Sequence, residues 1–108
     1  MRKEDFDRLC MDLDGLSKDT MDKKRPAYTV GSANVLENFD SIGKKLGIHP
    51  GLVAFVYFTK HMDAIANHFK DKYEDPEPID SRFVDALSYI KLMYAIAKRE
   101  DPSINSPF

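Results

Sequence analysis

The stretch PGLVAFVYFTKHMDAIANHFKDKY, residues 50–73, decides the fold. Proline is favoured at the first position of a helix, where its missing N–H satisfies nothing anyway, so Pro50 marks a start. The seven residues Leu52 to Phe58 follow, and the Tyr57 hydroxyl is their only polar side-chain group. A helix that is apolar on every side is enclosed by neighbours. This one is therefore expected at the centre of the domain or at an oligomer interface. At about 24 residues it would be roughly 36 Å long. From Thr59 onward the composition changes, and Lys60, His61, Asp63 and Asn67 enter within two turns.

Working outward, three more helices are expected. Before it, Phe6, Leu9, Cys10, Leu13, Leu16 and Thr20 recur at three-and-four spacing, which predicts an amphipathic helix from about Lys3 to Lys23. Pro26 biases Arg25 away from helical dihedrals. A second helix begins at Asn34, where Asn34 and Glu37 have the spacing of a capping box. Val35, Phe39, Ile42 and Leu46 make its stripe, and Gly47 ends it. After the break EDPEP, Glu74 to Pro78, a fourth helix starts around Asp80. Its stripe is Phe83, Leu87, Ile90, Tyr94 and Ala97, and Lys98 and Arg99 complement its dipole. YTV at 28–30 is the only strand-like segment and is too short. The expected fold is all-α, a four-helix bundle-like domain over residues 1–108, with an irregular tail at 101–108.

The chain is the size of one domain, and its 43% hydrophobic content suffices for a core. A net charge of -2 argues against coating a long nucleic acid, which calls for a basic stripe. One cysteine, Cys10, excludes an intramolecular disulfide and suits a reducing compartment. Its place on the apolar stripe suggests a buried structural thiol. No apolar run approaches the roughly 20 residues that span a bilayer, and MRKEDFDRLC is not a secretory signal. A soluble cytoplasmic protein is expected.

Lys60, Asp63 and Asn67 lie on one helical face, and Arg82, Asp85 and Tyr89 repeat the arrangement on the fourth helix. As solvated faces, they would form ordinary intrahelical pairs worth a few tenths of a kcal/mol. Within helices otherwise built for burial, they suggest instead a shared polar cavity. Lys60 and Arg82 suit phosphate oxygens. Asp63 and Asp85 would bind Mg2+ or hold the cations in place, and Tyr28 and Tyr57 would add a stacking surface. His61 and His68 share a second face, with a spacing wide for one metal. His49 is placed to cap the third helix. There is no Gly-rich phosphate loop, GSAN at 31–34 being too short.

The stretches KRPAY (24–28), NVLENF (34–39), KHMDAI (60–65) and RFVDALSY (82–89) together resemble the pattern of small all-α phage proteins of the MazG-like and nucleotide-modification-associated families. The resemblance runs from about Lys24 to Glu100. It implies a helical fold, self-association, a link to nucleotides, and the cytoplasm of an infected host cell. The positions matching its motifs are Lys24, Tyr28, Asn38, Lys60, His61, Asp63, Arg82, Asp85 and Tyr89. The departures are Ala27 and Asn34 where the pattern has aspartates, and Ser88 where it has asparagine. MazG-type pyrophosphohydrolases hold Mg2+ with paired acids on helices. The nearest equivalent here is Glu37 with Asp40.

Three functions follow as expectations. The first is binding of a nucleotide or nucleotide-derived phosphate between the third and fourth helices, in a homo-oligomer whose surface includes Tyr57, Phe58, Met62 and Phe69. The second is Mg2+-dependent nucleoside triphosphate pyrophosphohydrolysis using Glu37, Asp40, Asp63 and Asp85. The third is a structural or inhibitory interaction module with no small ligand.

Overall fold

The computed structural model describes residues 1–29, 34–70 and 75–101, with the backbone alone for 25–29. It contains four helices, α1 (Lys3–Thr29), α2 (Glu37–Leu46), α3 (Pro50–Phe69) and α4 (Ile79–Glu100). No strand occurs among the described residues. The all-α, bundle-like architecture is thus as expected. Tyr28's side chain, residues 71–73 of the expected third helix, Glu74 of the EDPEP break, most of GSAN and the tail beyond 101 lie outside the described residues. Among the described residues, no helix is long and apolar enough to cross a membrane.

The helices close a ring. α3 packs most extensively on α4, α2 on α3, and α1 on both α4 and α2. α1 runs antiparallel to α4, since Ser17 meets Ser88 and Lys91 while Lys24 meets Asp85. Leu36, Phe39, Val53, Ala54, Leu92 and Ile96 form the main apolar core, where α2, α3 and α4 converge. Burying Ile96 to 1% exposure stabilises the fold by roughly 1.5–3 kcal/mol.

The α2–α3 turn is built by local chemistry. Gly47 adopts φ 68°, which costs glycine little and other residues more. The Ile48 N–H donates to the Gly43 carbonyl at 3.0 Å, closing a Schellman turn. His49 Nδ1 accepts the Gly51 N–H at 2.9 Å and so caps α3, while its Nε2 lies 2.6 Å from Glu100 Oε1 at the end of α4. The turn is thereby tied to the far helix.

Several expectations are corrected. α1 continues through Pro26 to Thr29, because the bias on the residue before a proline is a preference that surrounding structure overrides. The capping box at Asn34 does not form. Asn34 Oδ1 accepts from the Leu36 N–H at 3.0 Å, an Asx turn, and α2 starts later at Glu37 with no side-chain cap. On α4 the buried residues are Arg82, Val84, Ala86, Ser88, Leu92 and Ile96, whereas the expected stripe leaves Ile90 and Tyr94 exposed. On α1 the expected stripe is exposed at Phe6, Leu9 and Leu16, and Cys10 is exposed too.

What α1 buries instead is Ser17, at 0% exposure. Lys91 Nζ donates to Ser17 Oγ at 3.1 Å, Ser17 and Ser88 hydroxyls meet at 3.2 Å, and Ser88 Oγ donates to the Val84 carbonyl at 2.8 Å. Since Ser88 gives its proton to Val84, Ser17 must donate to Ser88. The relay satisfies the buried hydroxyls and lets α1 approach α4 through two small side chains.

Candidate functional site

The ring of helices encloses a partly open cavity of about 210 Å³. α1 contributes Thr20 and Lys24, α2 contributes Asn38 and Phe39, α3 contributes Tyr57, and α4 contributes Asp85 and Tyr89. The Tyr57 and Tyr89 rings stack at 5.9 Å with an interplanar angle of 9°. Tyr89 also stacks on His61 at 5.5 Å and 23°. Phe39 meets both tyrosines edge-on, at 6.4 Å and 6.2 Å. Such offset and edge-to-face arrangements are preferred by aromatic quadrupoles, so the rings hold one another in place.

Asp85 is the polar centre. Its side chain is 14% exposed, and Lys24 Nζ donates to Oδ1 at 3.0 Å. Oδ2 faces His61 Nδ1 at 3.8 Å, too far for a hydrogen bond. Among the described residues, Nδ1 of buried His61 has no hydrogen-bond partner. Burial holds the His61 imidazole below its ordinary pKa, opposed by Asp85 and assisted by Arg82 and Lys60. The ring is therefore neutral near pH 7. Asp85 is left with acceptor capacity on Oδ2 beside a fixed aromatic wall.

The two triplets expected to share one enclosed space divide between two places. Asp85 and Tyr89 line the cavity. Lys60, Asp63, Asn67 and Arg82 together line an open depression, and Lys60 and Asp63 are exposed. Arg82 is not oriented by Asp85. Its Nε and Nη2 donate to Asp75 at 2.8 Å and 3.1 Å, Glu77 lies 3.5 Å away, and the guanidinium side chain is 10% exposed. The Arg82 bond holds the Asp75 carboxyl below its ordinary pKa. Arg82 thus fastens the approach to α4 onto the helix and is not presented to a phosphate.

The proposed metal pair is engaged as well. Arg99 donates to both Asp40 oxygens at 2.9 Å, and Asn34 Nδ2 adds a third bond at 3.0 Å. Glu37 and Asp40 share an open surface with Lys44 and Lys45 and do not line the cavity. Among the described residues, no three histidine, cysteine or acidic side chains gather as a metal would require.

Of the motif positions, Lys24, Asn38, His61, Asp85 and Tyr89 come together from four helices. Tyr57 joins them as the second ring of the stack. Thr20 and Phe39 also line the cavity, and nothing in their spacing distinguishes them from core. Comparison of the chain with family models, with curated proteins and with solved structures gives no match.

Proposed function

We propose that the chain is a binding protein for a nucleoside-type ligand, held in the cavity among the four helices. The observation that carries this reading is the Tyr57–Tyr89 stack beside the Lys24–Asp85 pair. A planar heteroaromatic ring is sequence-tolerantly attracted to an aromatic face. Asp85 accepts hydrogen bonds from ring or exocyclic N–H groups, and the Asn38 amide can both donate and accept. A volume of about 210 Å³ exceeds that of a cavity of about 150 Å³ that binds benzene, so it admits a planar base. Sugar and phosphate would lie at the mouth, where Lys24 is 56% exposed and carries the positive charge. The resemblance to MazG-like and nucleotide-modification-associated proteins supports the same class of ligand.

Magnesium-dependent pyrophosphohydrolysis has less support. Glu37 and Asp40, Asp63, and Asp85 lie in three separate places, and among the described residues the cavity offers one carboxylate. Calorimetric titration with nucleobases, nucleosides, nucleoside monophosphates and inorganic phosphate tests the binding reading. Nucleosides and their monophosphates are expected to bind. Asp85→Asn should weaken them at least tenfold, since a hydrogen bond to a charged group is worth about 1.5–3 kcal/mol. Lys60→Ala should leave affinity unchanged. An absence of heat across the panel with the fold intact, or equal affinity in Asp85→Asn, sinks the reading.

A further inference from the structure

α3 and α4 each carry a second apolar face that the single chain leaves uncovered. On α3 the outward positions are Leu52, Phe55, Thr59, Met62, Ala66 and Phe69, separated alternately by three and four residues. On α4 they are the half-buried Phe83 and Leu87 and the exposed Ile90, Tyr94 and Ala97, with the same alternation. That is the spacing of a coiled-coil seam. Leu52 is 56% exposed, Phe55 48%, Met62 41%, Phe69 74%, Ile90 48% and Tyr94 51%. None of these positions is charged in a chain that is 31% charged. Of the charges on the two helices, Lys60, Asp63 and Arg82 line the open depression, Asp85 lines the cavity, Lys91 bonds to Ser17 and Arg99 bonds to Asp40. Depletion of charge marks the centre of an interface, whereas a solvated helix face carries it.

The area supports a stable contact. Taking about 200 Å² for each whole large side chain, the six exposed fractions give roughly 640 Å² of largely apolar surface. The largest patch on a typical monomer is about 300–600 Å², and one partner of a standard interface buries about 800 Å².

We propose that this outer face of the α3–α4 pair is where two copies of the chain meet. The two helices are antiparallel neighbours, since His49 before α3 meets Glu100 at the end of α4 and Asn67 late in α3 lies beside Arg82 early in α4. Their seams have one period and opposite directions. A twofold axis lying in the plane of the face and perpendicular to the helices sets each seam antiparallel against its own copy, an isologous contact, and three-four knobs fit three-four holes. The exposed stripe of α1 is a poorer self-partner. Asp5, Asp12 and Asp19 recur every seven residues along its edge, and pairing that edge with its own copy would bring like charges together.

Sedimentation equilibrium of the full chain, with far-UV circular dichroism of the same samples, decides the matter. The expected mass is twice the 12.4 kDa of one chain. Phe55→Lys on α3 and Ile90→Lys on α4 should each halve it while helicity is retained. Met11→Lys, at an exposed position outside both seams, should leave it unchanged. If one seam variant loses helicity, the other on the second helix still gives the answer. A wild-type chain that stays monomeric up to millimolar concentration overturns the proposal. So does a dimer that survives both seam substitutions, because its contact then lies elsewhere.

Discussion

The same substitution at two helical glycines should have opposite signs. Replacing a helix-interior glycine by alanine gains about 1 kcal/mol of backbone propensity. At Gly15 in α1 an added Cβ meets nothing within 4 Å, so Gly15→Ala should realise that gain. At Gly43 in α2 the added Cβ would lie 2.7 Å from the Ile48 carbonyl oxygen, 3.3 Å from Pro50 N and 3.4 Å from Pro50 Cα. All three are backbone atoms of the α2–α3 turn. Carbon–oxygen contacts of this kind normally settle at about 3.3–3.6 Å, so the turn must open by more than half an ångström. It is clamped by the Ile48–Gly43 bond and by the His49–Glu100 contact. Overpacking costs about 1–3 kcal/mol, and a clash with clamped backbone falls in the upper part of that range, about 2–3 kcal/mol; less the propensity gain of about 1 kcal/mol, Gly43→Ala should be less stable by about 1–2 kcal/mol. For a domain this size, each kcal/mol shifts Tm by about 4–8 °C. Urea unfolding followed at 222 nm, with both variants and wild type at equal chain concentration, measures the pair. Gly43→Ala at or above wild-type stability, with Gly15→Ala stabilised, would show that the turn is looser than described and refute the reasoning.

Two further predictions concern pH. The Arg99 hydrogen bonds hold the Asp40 carboxyl below its ordinary 3.8, so this pair contributes stability above that value and loses it as pH falls through the lower folded-state value. Both side chains are about a third exposed, which limits the contribution to about 0.5–1 kcal/mol. Arg99→Gln should lose that much at pH 7 and little at pH 2, by urea unfolding; an equal loss at both would assign the effect to packing. For His61, burial outweighs Asp85 and depresses the pKa below 6.5, with Arg82 and Lys60 lowering it further and Glu77 raising it. The unfolded chain then takes up the proton first. Stability attributable to His61 is intact above 6.5 and declines as pH drops below it. His61→Gln should flatten the stability profile between about pH 7 and pH 5, and proton NMR showing an imidazole that titrates above 6.5 would contradict the assignment.

The helices were legible because their boundaries are written locally. Pro50 starts α3, His49 caps it, Gly47 terminates α2, and the EDPEP break precedes α4. The inward faces were not legible. Phe83, Leu87, Ile90, Tyr94 and Ala97 form a regular apolar series, yet α4 buries Val84, Ser88, Leu92 and Ile96. Hydropathy sums over both faces of a helix and carries no mark of whether a neighbour lies in the same chain. Where burial depends on close approach, small polar residues outrank large apolar ones. Ser17 is fully buried because Ser88 and Lys91 satisfy its hydroxyl, while Leu9 and Leu16 on the same helix remain half exposed.

At the site, one local rule would have corrected the reading of Arg82. A helical side chain leans toward the N-terminus of its helix. A buried arginine early in α4 therefore finds its carboxylate upstream, and Asp75 seven residues before it supplies bidentate geometry. Asp85, three residues downstream, points back along the helix but is drawn to Lys24. That second pairing has no local signal, because the partners stand 61 residues apart and the fold alone joins them. What the sequence did contain was a constraint without an address. An aspartate between Val84 and Ala86, both buried, must be matched by a cation or by donors, since an unpaired buried carboxylate is costly. Lys60 and Arg82 looked available by proximity in sequence. Lys60 lines a different depression from the cavity that holds Asp85, and Arg82 is taken by Asp75, so the α1 lysine, carried to Asp85 by the antiparallel packing of α1 on α4, is the one that geometry permits.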